Sequence, residues 1–315
     1  ASADSGSEPP IVAPPKPPYD QGTCAQVAIY GLMTGAPVGE ATAVHAVVDD
    51  CDGAPLSGLS ASDISVVVNE GELLGSEGSV ALLNRSATPL VQLLIDPSAA
   101  TVSRHEALSS WLVGLKQLLP GARIGMSLLD SNQTVLTGAT ADTVALLDAL
   151  DAAVEANPST PSVSVHDALE AAFTALSVDE AALASTAPAG ASTLVHRFVV
   201  PLLARQDSAS TPVYETQMSV LGFSGDVAFG LFDGGDDALA SQLGSVTSIT
   251  VGALEADLST LRSHLVSLHE RGVVLGWCDP LSAATRTVQV RVFDGAGESG
   301  TLSYAQAGYS GSCGP

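Results

Sequence analysis

The chain has 315 residues, 46% of them hydrophobic, which is enough for one large or two ordinary domains with a sizeable core. Lysine and arginine number 11 against 34 aspartates and glutamates, a net charge of -23 that argues against a nucleic-acid backbone or an anionic lipid surface as partner. Aromatic residues make up only 4%, so the core must be built from Ala, Val and Leu, and no run of about 18 apolar residues exists to span a membrane.

Residues 1–22 (ASADSGSEPPIVAPPKPPYDQG) form a Pro/Ser/Glu-rich tether that cannot pack a core. Such a tether fits an exported bacterial protein at the cell surface, outer membrane or periplasm, with a removed signal or a lipid anchor upstream of residue 1. Cys24, Cys51, Cys278 and Cys313 form no CxxC motif, so two disulfides are expected rather than zinc, with all three pairings open.

Strand character follows in Cys24–Met33, Glu40–Asp49, Ile64–Asn69 and Val80–Asn84, with a tight connector at Leu59–Asp63. After residue 88 the pattern changes. Leu90–Ile95 is a continuous apolar run, as buried parallel strands are. Apolar residues at 108, 111, 112, 115, 118 and 119 predict an amphipathic helix over Ser103–Leu119, stopped by Pro120-Gly121. Strands are expected at Arg123–Leu129, His196–Leu203, Val213–Phe223 and Val246–Val251. Helices are expected at Thr140–Val154, Val165–Leu176 with Ser164 as N-cap, Asp236–Leu243 and Leu254–Glu270. This alternation predicts a Rossmann-like parallel sheet covered by helices on both faces. Val273–Trp277, Thr287–Phe293 and Ser299–Tyr304 return to β character, so both chain ends are expected to share one small β-sandwich.

The order of elements resembles the von Willebrand factor A-like domains of exported bacterial proteins, in the form with flanking β strands. The resemblance covers most of residues 40–310. It is carried by VVDDCDGAPLSGLSASDISVVVNEG (Val47–Gly71), by RGVVLGWCDPLSAATRTVQVRVFD (Arg271–Asp294) and by AGY (Ala307–Tyr309). It implies a metal-ion-dependent adhesion site with an Asp-x-Ser-x-Ser loop, a Thr from a second loop and an Asp from a third, suited to Mg²⁺.

Here Asp96 and Ser98 match the first two metal ligands, but Ala100 replaces the second Ser. Val163 or Ser164 falls near the Thr position, and Ala204-Arg205 stands where the third loop's Asp is expected. Asp207, with Ser208, reaches the crevice only if that loop slips. The cation at Arg205 would repel a metal, and an ion pair with Asp96 is the expected replacement.

Asp226, Asp233, Asp236 and Asp237 form the other candidate cluster, for Ca²⁺, although Asp236 also suits the start of a helix. The six histidines (45, 105, 166, 196, 264 and 269) show no HExxH and are expected at the surface or in interfaces. No nucleophile–base motif or glycine-rich phosphate loop supports catalysis.

The expected layout is therefore a linker over 1–22, a β-sandwich from 23–88 and 273–315, and an A-like domain over 89–272. The expected role is non-catalytic protein recognition or adhesion, with no required cofactor. The alternatives are a structural subunit of an envelope or extracellular assembly and, less favoured, an enzyme of unrecognised type.

Overall fold

The computed structural model describes residues 25–32, 42–50, 59–60, 63–68, 71–72, 81–82, 87–130, 133–156, 164–186, 195–206, 226–270, 272–277, 285–292 and 301–305. Five strands come first: β1 (Ala25–Leu32), β2 (Thr42–Asp50), β3 (Ile64–Val68), β4 (Gly71–Glu72) and β5 (Ala81–Leu82). The α/β part comprises β6 (Thr88–Ile95), α1 (His105–Leu118), β7 (Arg123–Leu128), β8 (Val135–Thr140), α2 (Thr143–Glu155), α3 (Val165–Thr186), β9 (Val195–Leu203), β10 (Asp226–Phe232), α4 (Asp237–Leu243), β11 (Ser245–Ile249) and α5 (Leu254–Glu270). Strands β12 (Gly272–Trp277), β13 (Thr285–Val292) and β14 (Thr301–Ala305) complete the chain.

The central sheet has six strands in the order β11-β10-β9-β6-β7-β8. All its pairings are parallel except that of β8, which runs antiparallel to β7 along one edge. Side-chain alternation divides the core into two layers. Val91, Leu93 and Ile95 face α1, α2 and α5, together with Trp111, Leu112, Leu150, Leu261 and Leu265. Leu90 and Leu94 face the other side, with Val165, Leu169, Phe173 and Leu176 of α3. Fully burying one such Leu or Phe contributes about 1.5–3 kcal/mol, so these two layers dominate the stability of this part. On the α3 side Gln92 is buried, and its Nε2 donates to Ser127 Oγ at 2.9 Å. Gly125 leaves the room for it, since a Cβ there would lie 2.2 Å from Gln92 Oε1.

Local chemistry sets the helix ends. Asp142 and Asp236 cap α2 and α4 by accepting from Val144 N and Leu239 N. Ser164 Oγ accepts from Asp167 N at 3.3 Å, the cap expected from the sequence. Gly121 supplies a φ of 90° just after α1. Ser60 and Asp63 close the connector into β3, with Ser60 N donating to Asp63 Oδ2 at 2.8 Å.

Strands from the two chain ends pair with one another. One sheet has the order β1-β2-β12-β5 and the other β14-β13-β3-β4, so β2 pairs with β12 and β3 with β13.

Four expectations need correction. The sheet is not wholly parallel: VLTGAT, a short exposed run containing Gly138, forms the antiparallel edge strand β8, which was not expected. The strand beside β9 is Asp226–Phe232, because its apolar side chains pack on both layers although acidic and glycine residues surround it. The expected strand at 213–223 lies outside the described residues. The two-residue strand β4 was also not expected. Finally, α3 continues past Leu176 to Thr186, because its Ala-rich extension buries Glu180 against Arg197.

Candidate functional site

Strand order reverses between β6 and β9: the chain builds outward from β6 through β7 to β8, then returns to β9 and builds the other way. The carboxyl ends of these two strands therefore splay their loops apart and open a crevice. Asp96 follows β6 there, and Ala204-Arg205 follow β9. That strand order, with one antiparallel edge strand and an aspartate at the end of the first central strand, decides the architecture. The α/β part has a von Willebrand factor A-like fold.

In this A-like domain Asp96 is completely buried, at 0% exposure. Its Oδ1 accepts from Ser98 N at 2.9 Å and from Arg205 Nε at 2.8 Å, and its Oδ2 accepts from Ala204 N at 3.0 Å. A carboxylate has about four acceptor positions, so protein donors already fill most of them. Arg205 Nη2 also donates to the Leu129 carbonyl at 3.4 Å, tying the end of β7 into the same knot. The pair is charge-assisted and desolvated, which makes it directional and costly to break from one side only.

Glycine chemistry brings the loop after β10 onto this end of the sheet. Gly234 has φ 98°, and a Cβ on it would lie 3.0 Å from the Ala204 carbonyl. Arg104, not singled out from the sequence, closes the other side. Its Nη1 donates to the Ser98 and Ala99 carbonyls, and its guanidinium lies 4.4 Å from the centre of the Phe232 ring. An arginine six residues beyond an Asp-x-Ser loop carries no recognisable motif; only the turn through Ala99 and Thr101 brings it back.

The predicted residues divide accordingly. Asp96, Ser98 and Arg205 meet, with Ser98 contributing its backbone N–H to the carboxylate. Ser164 caps α3, whose first residue Val165 packs in the same layer as Leu129 and Leu203. Asp207, Val163 and the four cysteines lie outside the described residues. The acidic Ca²⁺ cluster is split by the fold. Asp226 opens β10 and contacts His196, whereas Asp233, Asp236 and Asp237 follow its far end, where Asp236 is a helix cap.

The donor set at Asp96 does not fit the family's metal. Ala100 is buried where a second hydroxyl ligand would stand, and the Arg205 guanidinium occupies the carboxylate. Among the described residues, no group of three or more His, Cys, Asp or Glu side chains could hold a metal ion.

The expectation for the histidines also needs correction. His166 is buried, and His196 is fully buried, at the opposite end of the sheet from Asp96. His196 Nε2 lies 2.8 Å from Asp226 Oδ2, and its Nδ1 lies 3.3 Å from His269 Nδ1. Burial, then the neighbouring His269, depresses the pKa of His196 well below the usual histidine value; burial depresses that of His269, with Glu270 opposing.

No family model matches the chain, and no curated protein sequence does either. Solved structures do resemble it. Proximal thread matrix protein 1 from the mussel byssus superposes with TM-score 0.41 at 15% identity over 62% of this chain and 49% of that one, so the match spans about half of that protein. A further structure of that protein is described with a zinc-occupied MIDAS motif. The vWF domain of the type V pili tip protein Mfa5 from Porphyromonas gingivalis gives TM-score 0.40 and 13% identity, covering 59% of this chain and 97% of that one. The ArnB paralog VWA2 from Sulfolobus acidocaldarius gives TM-score 0.37 and 12% identity, covering 89% and 74%. The fold assignment rests on strand order and loop position rather than on these superpositions.

Proposed function

We propose that this chain is a non-catalytic protein-recognition or adhesion module that binds through the rim at the carboxyl ends of its parallel strands and needs no metal to do so. The observation that carries the reading is the Arg205 guanidinium bound to Asp96 at 2.8 Å. A fixed cation there holds the β6 and β9 loops together, a job that a metal would otherwise do. Placement of the binding surface at this rim is an argument from the fold.

Two rim features support it. A groove of about 510 Å³ lies between the start of α1 and the turn leading into α5, lined by Ser103, Glu106, Ala107 and residues 251–256. Val102 and Val251 stand beside it at 84% and 70% exposure. Together they offer apolar contact within a strongly acidic surface.

The proposal extends to the rest of the chain. The flanking strands form a sandwich carrying the A-like domain as an insertion, with boundaries at 23–88, 89–272 and 273–315. The Pro-rich tether joins an exported protein to a lipid anchor, and two disulfides staple the sandwich. Among the described residues no helix is long and apolar enough to cross a membrane.

A photo-crosslinker at Val102 or Val251 tests the recognition site. Capture of one protein from these two positions, and not from exposed Val178 on α3, is the expected result; equal capture from all three contradicts it.

A structural-subunit reading is favoured by β8, an uncharged edge strand with Val135 67% exposed. It predicts concentration-dependent assembly in sedimentation velocity, abolished by Val135→Lys; a monomer at every concentration removes it.

A further inference from the structure

The groove at the rim is one end of a longer furrow between α1 and α5. The two helices pack side by side, and both begin at the carboxyl end of the sheet. Ala107 and Gly114 lie two turns apart on α1, and Glu255 and Arg262 lie two turns apart on α5. Two turns span about 10 Å and return to the same helix face. Arg262 crosses onto α1 at that depth: a Cβ on Gly114 would collide with its Nη1. The furrow thus runs from Glu106 and Glu255 at its mouth to Arg262 two turns below.

The two ends carry opposite charge. Each helix N-terminus supplies a charge of about +0.5, roughly +1 for the pair. Glu106, Glu255 and Asp257 stand in the first turns, so about two negative charges remain uncompensated there. Asp257 holds Thr250 N at 2.8 Å and Thr250 Oγ1 at 2.9 Å, which fixes the turn without neutralising it. Arg104, the cation closest in sequence, is turned onto the Ser98 and Ala99 carbonyls and the Phe232 ring. His105 is engaged by Asp151.

Arg262 is the reverse case. Its Nη2 donates to Ser259 Oγ at 3.2 Å, its buried Nε has no hydrogen-bond partner, and no carboxylate pairs with it among the described residues. One turn away on α5 stand Leu258, Ser259, Leu265 and Val266, none of them acidic. Arg197 and Arg205, by contrast, each hold a carboxylate. A half-buried guanidinium has lost part of its water, so a carboxylate brought to it gains more than at an open surface.

We propose that the rim's occupant is a protein segment carrying three groups in a fixed spacing. An apolar side chain rests against Val102 and Val251, a lysine or arginine meets Glu106 and Glu255, and a carboxylate about 10 Å further along meets Arg262. This rests on the rim being the recognition surface and adds the chemistry of what it recognises. Charge complementarity selects the occupant. The field of a chain with net charge -23 steers a basic group to the mouth, and Arg262 fixes which way the segment lies. A second copy of this chain, equally acidic, is repelled by the same field.

The test selects peptides from a random library of about twelve residues, long enough to span the furrow even as a helix, on the immobilised full chain. Affinities follow by fluorescence anisotropy. Selected sequences should combine a basic, an apolar and an acidic residue. The double variant Glu106→Gln, Glu255→Gln should weaken binding about tenfold, and Arg262→Gln about threefold. Glu170→Gln, an exposed acid on α3, should change nothing. Replacing the peptide's acidic residue by Gln should cost about threefold on the native chain and nothing on Arg262→Gln, a coupling that a merely structural arginine does not produce. Failure to select any peptide, sequences without a basic residue, indifference to the double variant, or absence of that coupling would overturn the proposal. Peptides that bind without these charge effects, yet are lost in Val102→Asp and Val251→Asp, would overturn it while leaving the rim as the recognition surface. Peptides indifferent to both valine variants would overturn the rim as well.

Discussion

The two ends of the central sheet solve the same problem with different chemistry. At the carboxyl end, Asp96 is held by a guanidinium and two backbone N–H groups; at the amino end, Asp226 is held by an imidazole. Arginine never loses its charge in the accessible pH range, so the first arrangement is permanent. Histidine does titrate, so the second is conditional. A buried carboxylate becomes a fixed strut or a pH-dependent contact according to which cation the neighbouring strand delivers.

The largest expected effect comes from removing the fixed cation. Arg205→Ala leaves Asp96 buried without its counter-charge and should cost about 3–5 kcal/mol in urea unfolding. The double variant Asp96→Asn, Arg205→Met should recover most of that, since the penalty lies in the orphaned charge rather than in the lost pair. Recovery of nothing would mean that the pair organises the loops in some further way.

Next comes a control from the core between the two ends. A Cβ on Gly230 would lie 2.7 Å from Leu202 Cδ2 and 2.9 Å from Ile249 Cδ1. Gly230→Ala should therefore destabilise by about 1–3 kcal/mol through overpacking, independently of pH. Asp236→Ala should cost about 1 kcal/mol by loss of the α4 cap, again with no pH signature near neutrality.

The smallest effect has the most specific signature. With both histidine pKa values depressed by folding, the unfolded chain holds more protons just below 6.5, so stability should fall as pH drops through that range. The loss should level off once the folded pair is also protonated. In His269→Gln the slope should shrink, whereas Arg205→Ala should leave it unchanged. A slope altered by Arg205→Ala would join the two ends into one electrostatic unit and break the comparison.

The sequence made one end of the sheet far more legible than the other. Leu90–Ile95 declared a buried strand by its continuous apolar run, and the Asp-Pro-Ser after it marked the strand end. Arg205 was findable because it follows the apolar run of β9 at the position where the resemblance calls for an acidic ligand. Arg104 was not, since its role depends on a turn. The histidine pair was not legible either, because His196 and His269 are 73 residues apart in sequence and meet only in the folded chain. Recognising it required β10, which acidic and glycine neighbours disguised as a loop, and which places Asp226 beside His196. The antiparallel edge strand β8 was missed for a related reason: an exposed edge needs no apolar alternation.

At the carboxyl end of the sheet, the proposed function has Arg205 standing in for a metal at Asp96. It is tested most directly by the melting temperature of the full chain in chelator, then in millimolar Mg²⁺ or Mn²⁺, for the native sequence and for Asp96→Ala. The divalent ions should leave the native melting temperature where the chelator leaves it. An ion-dependent rise that Asp96→Ala abolishes would contradict it, because it would show a metal displacing the guanidinium from the carboxylate.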